Sequence, residues 1–200
     1  LEMTFTYEWS SSDQYGFVRK ATLTNNGNKE REIRLLDGLQ NVLPYGVGSD
    51  LQMKQSNLVD AYKRNELDPA SGLGIFALSA IIVDRAEPSE ALKANVVWQN
   101  GLKEPKYLVS SKQLAAFKAG KSITQEIDVK AERGSFFVNS TFALSPKASQ
   151  HWMLVTDVNK NHPFVSNLIN EIKRDDIQEK VNQDIATGTK ELVKLTASAD

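Results

Sequence analysis

The stretch IRLLDGLQNVLPYGVG, Ile33 to Gly48, changes character three times within one short run. Its opening reads as a strand, Asp37-Gly38 as a turn, Gln40-Asn41 as a polar amide pair, and Pro44-Tyr45-Gly46-Val47-Gly48 as a loop in which helix and regular sheet are both disfavoured. An irregular polar and aromatic loop beside a strand end is where binding groups collect. The elements on either side therefore decide what holds this loop.

Upstream, Met3 to Trp9 alternates strictly, with Phe5, Tyr7 and Trp9 on one face and Thr4, Thr6 and Glu8 on the other. That is the period of a half-buried strand. The aromatic row is expected to pack as core against a second sheet, and a sugar-stacking platform is the other reading. Tyr15 to Asn25 is a second strand. Asn25-Asn26-Gly27-Asn28 supplies residues that tolerate positive φ and should close a hairpin onto Glu30 to Leu36.

Downstream, Ser49 or Asp50 can cap one helix through Leu51, Leu58, Val59 and Tyr62, and Lys63-Arg64-Asn65-Glu66 reads as its solvated end. Gly72 to Val83 is apolar on both faces, as in a central strand, and Asp84 to Pro88 ends it. Lys93 to Trp98, Tyr107 to Val109, Ile123 to Val129, Phe136 to Leu144 and His151 to Asp157 are further extended segments. A short helix from Lys112 to Lys118, with Leu114 and Phe117 inward, stops at Gly120. Roughly nine strands with turns between them argue for a mainly β fold, an antiparallel two-sheet sandwich with short inserted helices.

Past Asn159 the period changes. Phe164, Val165, Leu168, Ile169 and Ile172, then Ile177, Val181 and Ile185, fall at helical spacing, with breaks expected near Arg174-Asp175-Asp176 and at Gly188. The reading is a sandwich over 1–158 and a helical segment over 159–200, which either docks on one sheet or leads to another domain.

Composition excludes several classes. Hydrophobic residues are 40% and charged residues 24%, which suits a globular chain, and 24 basic against 25 acidic residues argue against nucleic acid or an anionic membrane as partner. There is no cysteine, hence no disulfide or thiolate metal site, and no apolar run approaches a bilayer span. The chain opens Leu1-Glu2 without initiator Met or signal peptide, which suggests a processed or excised piece, and its compartment is not legible.

The search for chemistry finds no nucleotide loop, nucleophile elbow or HExxH motif. Gly72-Leu73-Gly74 precedes a strand rather than a helix, and Asn139-Ser140-Thr141 lies inside one. His151 and His162 read as surface or capping histidines, and no cofactor or metal is expected. Carboxylates such as Asp13, Asp37, Asp60, Glu66, Asp68, Asp84 and Glu87 stand in or near loops, and Asp37 reads most simply as an Asx-type turn. Asp37, Gln40, Asn41, Tyr45, Tyr62 and Trp98 together offer donors, acceptors and flat apolar faces, the mixture that holds a sugar ring.

Tyr15-Gly16-Phe17-Val18-Arg19, the run Leu35 to Pro44, and Leu58-Val59-Asp60-Ala61-Tyr62-Lys63, with helices following strands, resemble one known domain. This is the N-terminal β-supersandwich, similar in fold to galactose mutarotase, of bacterial enzymes related to cellobiose phosphorylase and cyclic β-glucan synthase. The resemblance implies a non-catalytic module whose 160–200 helices lead, beyond Asp200, to a helical-barrel catalytic domain of the same polypeptide. It also implies a carbohydrate partner and a role in shaping a sugar site or a homodimer contact. The alternatives are a stand-alone epimerase-like enzyme, which needs convergent histidines or carboxylates, and a protein-interaction module.

Overall fold

The computed structural model of the chain describes residues 2–82 and 90–198. Val83, the terminator expected at Asp84 to Pro88 and the exit at Asp200 lie outside them. Among the described residues ten strands and five helices follow in chain order. They are β1 (Met3–Ser12), β2 (Gly16–Asn25), β3 (Arg31–Val42), α1 (Ser49–Lys54), α2 (Ser56–Tyr62), β4 (Lys63–Asp68), β5 (Leu73–Leu78), β6 (Lys93–Asn100), β7 (Lys106–Ser110), α3 (Leu114–Lys118), β8 (Asp128–Lys130), β9 (Gly134–Leu144), β10 (Ser149–Asn161), α4 (His162–Glu171) and α5 (Ile177–Ala197).

Two antiparallel sheets result, one ordered β1-β2-β10-β6-β5-β4-β8 and the other β3-β9-β7. The strand pattern is therefore the sandwich read from alternation, and the middle of the large sheet is covered on both faces. Its inner face sets Ala21, Leu67, Phe76, Val97, Trp152 and Leu154 against Tyr107, Val109, Phe136 and Val138 of the small sheet. Its outer face sets Val18, Leu73, Val96, Trp98, Met153 and Val155 against Leu168, Ile177 and Val181 of α4 and α5. The helical segment thus docks on a sheet, and the stripe Phe164 to Ile172 is used up in that packing. A third layer, Leu108, Ile123 and Phe137 with Leu36, Leu114 and Phe117, closes the outer face of the small sheet. Trp98, Phe76, Phe136 and Leu154 are almost wholly removed from water. Each large apolar side chain buried in this way stabilises the fold by about 2–3 kcal/mol.

Several local expectations are corrected. Asn25-Asn26-Gly27-Asn28 closes no hairpin: β2 pairs with β1 and β10 in the large sheet and β3 with β9 in the small one, so this connection crosses between the sheets. Asp37-Gly38 makes no turn: β3 runs straight through it, paired to β9 from Arg31 to Gln40. Glycine stands there because a Cβ would fall 2.6 Å from the Phe137 ring. The break comes later, at Asn41, which has φ 56° and forms a bulge between Gln40 and Val42. The expected helix over 49–62 is interrupted at Gln55, and neither Ser49 nor Asp50 caps it, since Gly48 is the N-cap. Lys63 is not in a solvated helix end but starts β4. Its ammonium is buried against Asp60 Oδ1 at 2.7 Å and Gln52 Oε1 at 2.9 Å. Of the segment Ile123 to Val129, only its end enters a strand. The helical tail breaks between α4 and α5 as expected, but α5 passes Gly188 without interruption. The α4 start is set by Asn161, whose side chain accepts the Phe164 N–H at 3.0 Å, with Pro163 in the first turn.

The largest correction concerns the aromatic row. Phe5, Tyr7 and Trp9 are 47%, 60% and 51% exposed, because β3 stops short of covering β1. The small sheet has three strands against seven and is held toward the β4–β8 end. There the Glu126 carboxylate accepts the Val109 and Ser110 N–H groups at 2.9 Å each, and the Leu67 N–H donates to Ile127 O at 2.8 Å.

Candidate functional site

What the small sheet leaves open is an aromatic shelf on the inner face of β1 and β2. Register places Phe5 beside Leu23, Tyr7 beside Ala21 and Trp9 beside Arg19, and β10 follows with Trp152 beside Ala21. Ala21 is the small residue between two rows of large ones. Across it Phe5 stacks on Trp152, with ring centroids 5.9 Å apart and planes inclined by 24°. Phe5 and Tyr7 are 6.0 Å apart along the strand, and Phe17 extends the same face at 54% exposure.

The shelf ends against polar groups anchored on three strands. Asp37, inward from β3, forms an ion pair with Arg19 of β2, and the Trp152 indole N–H of β10 donates to the same carboxylate oxygen at 2.6 Å. The Arg19 guanidinium also reaches Gly38 O at 3.5 Å and lies 5.8 Å from the Tyr7 ring centroid. Among the described residues its buried Nε has no hydrogen-bond partner. A charge-assisted pair held by an indole is rigid, so the rings next to it are presented in fixed positions. Flat apolar faces beside fixed donors and acceptors can hold a polar ligand with an apolar side.

Residues singled out from sequence are not gathered into one place. Asp37 belongs to this shelf. Gln40 and Asn41 are exposed at the β3 bulge. Tyr45 lies elsewhere, under the Lys93 ammonium, which is 5.0 Å from its ring centroid. It borders an apolar cleft of about 300 Å³ with Leu51, Leu78, Ile81 and Leu92. Tyr62 is partly covered at the end of α2, where its carbonyl accepts the Ser79 N–H. Trp98 is a correction: it is 1% exposed, on the opposite face of the large sheet, packed edge-on to Tyr15 beneath the helices. Inward and outward positions alternate along β6, and Trp98 falls on the helix side.

Arg19 and Trp152 were missed as site residues. The signal was present in β2, where a guanidinium occupies the alternation of Phe17, Ala21 and Leu23 and so points at the core. Its partner, eighteen residues on, has no fixed spacing to search for.

Both histidines are exposed. His151 is on the helix-bearing face of β10, hydrogen-bonded to Thr22 Oγ1 at 2.9 Å, and His162 opens α4, so neither joins Asp37. Among the described residues there is no grouping of three metal-binding side chains, and no helix is long and apolar enough to cross a membrane. Deep under the helices, burial pushes the Tyr15 hydroxyl well above its usual range, helped by the hydrogen bond it donates to Glu171 Oε1 at 2.7 Å. That pair ties the β1–β2 turn to α4 and is structural. The sequence matches no protein-family model and no curated protein.

Proposed function

We propose that this chain is a non-catalytic, carbohydrate-binding sandwich module of a larger glycoside-cleaving enzyme. In this reading a saccharide lies along β1 on Phe5, Tyr7 and Trp9, and the chemistry belongs to another domain of the same polypeptide. The observation that carries the reading is the row of three half-exposed rings at every second residue of one strand, ending at the Arg19–Asp37–Trp152 cluster. Strand geometry spaces such rings by about 6.7 Å, so successive residues of an extended glycan would meet successive ring faces. Apolar faces of sugar rings stack on aromatic side chains while their hydroxyls find fixed polar groups at the edge. The resemblance to the cellobiose phosphorylase and cyclic glucan synthase supersandwich points the same way and suggests a β-glucan.

Calorimetric titration with β-linked gluco-oligosaccharides tests this. Tyr7→Ala and Trp9→Ala are each expected to weaken binding about tenfold, the loss of one stacking contact of roughly 1–1.5 kcal/mol, with the circular dichroism spectrum unchanged. Absence of binding across a panel of α- and β-glucans, or binding that both variants leave intact, would rule the proposal out.

A further inference from the structure

The four sheet edges are not treated alike. At one side of the sandwich β8 is three residues long and carries Asp128 and Lys130, and β7 has its edge N–H groups taken by the Glu126 carboxylate. At the other side β3 is bulged at Asn41 and carries Arg31, Glu32 and Arg34, the last bonded to the carbonyls of Gly120 and Lys121. Short length, charge, bulges and covered groups are how soluble proteins keep edge strands from pairing with other chains.

β1 has none of these devices. It is ten residues long, pairs with β2 in unbroken register, contains no Pro, Lys or Arg, and has one charge, Glu8. Among the described residues its outer edge makes no backbone hydrogen bond. Such an edge, beside an exposed aromatic row, is a template for another strand.

We infer that the occupant is β1 of a second copy of this chain, paired antiparallel about a two-fold axis through Tyr7. The sequence of the strand is self-complementary in that register and carries the argument. Tyr7 faces Tyr7 of the second copy, Phe5 faces its Trp9, and on the other face Thr6 is opposite Glu8, so every ring meets a ring and no like charges meet. Centring one position on, at Glu8, would set the two carboxylates against each other, which disfavours that neighbour. The interface is isologous and closed, so it ends at two chains. Two seven-stranded sheets become one continuous sheet, and the two aromatic rows merge into one floor flanked by two Arg19–Asp37 pairs. The dimer does not depend on a glycan lying on that floor.

Sedimentation equilibrium on the full chain provides the test, with an exchange of two residues as its control. Thr6 and Glu8 are both exposed and outside the aromatic face, so neither substitution disturbs the fold or the shelf. The wild type is expected to be a dimer. Thr6→Glu, which sets two pairs of carboxylates opposite one another, is expected to raise the dissociation constant roughly a hundredfold. Adding Glu8→Thr to Thr6→Glu sets threonine opposite glutamate again, without placing a lysine against Lys20 of β2, and is expected to restore the dimer. A monomeric wild type, a dimer indifferent to Thr6→Glu, or a double variant that stays monomeric would each overturn the inference. Glucan binding by monomeric Thr6→Glu, which keeps all three rings, reports separately on the sugar reading.

Discussion

Asp37 accepts from a guanidinium and an indole that come from two other strands, and it sits where two sheets meet with 13% of its side chain exposed. Cutting one member of such a pair leaves the other charge buried without compensation. Asp37→Ala is therefore expected to destabilise the fold by about 3 kcal/mol in urea titration. The double change Asp37→Leu with Arg19→Met is expected to recover a good part of that loss, because apolar side chains of similar volume need no partner. If the double variant proved as unstable as the single one, the network would be acting through shape rather than charge. Sequence could identify Asp37 as a residue of interest but misassigned its surroundings. An Asp-Gly pair is the usual mark of a turn, and here tertiary packing overrides it. The aspartate is needed between the sheets and the glycine beneath the Phe137 ring.

At the level of single elements, α5 shows the same conflict between local signal and context. Glycine disfavours helix interiors, and reading Gly188 as a break follows from that preference. The helix passes through it because Ile177 and Val181 already anchor the preceding turns on the large sheet, and Ser12 hydrogen-bonds Asp184 just before it. A Cβ at Gly188 would find its nearest heavy atom 4.0 Å away, at Asp13 Oδ2. Gly188→Ala is thus expected to raise stability by about 0.5–1 kcal/mol, since it removes backbone freedom from the unfolded chain without creating a clash. Thermal melts followed at 222 nm will show it as a higher midpoint. A lower midpoint would mean that the helix bends at 188 for a reason unrelated to space. Strands were legible where alternation runs long, as in β1 and β9, but not in β4, which reads as a helix end, nor in the pairing of β2, whose expected partner β3 lies in the other sheet, and the short α1 and α2 depend on what they pack against.

Across the whole molecule, the two cores share one sheet. Trp98, Val96, Met153 and Val155 are buried only because α4 and α5 lie over them. A chain ending at Val158, as the change of period in the sequence would suggest for a separate sandwich, is expected to expose that face, bind a hydrophobic dye and lose its cooperative melt. A soluble, cooperatively folded 1–158 fragment would show instead that the sheet can close without its helices. What the sequence determined by itself was whatever depends on near neighbours along the chain: the strand periods, the helical period past Asn159, and the absence of the common catalytic motifs. Only the tertiary structure decided which faces are covered. Alternation shows that Phe5, Tyr7 and Trp9 share a face with one another and that Trp98 opposes Val97, but it does not say which face meets a second layer. That depends on how many strands the second sheet has and on where it is held, which is a contest among distant parts of the chain. Three strands held toward β7 and β8 leave the aromatic row of β1 in water, and the two helices laid over the other face of the large sheet bury Trp98.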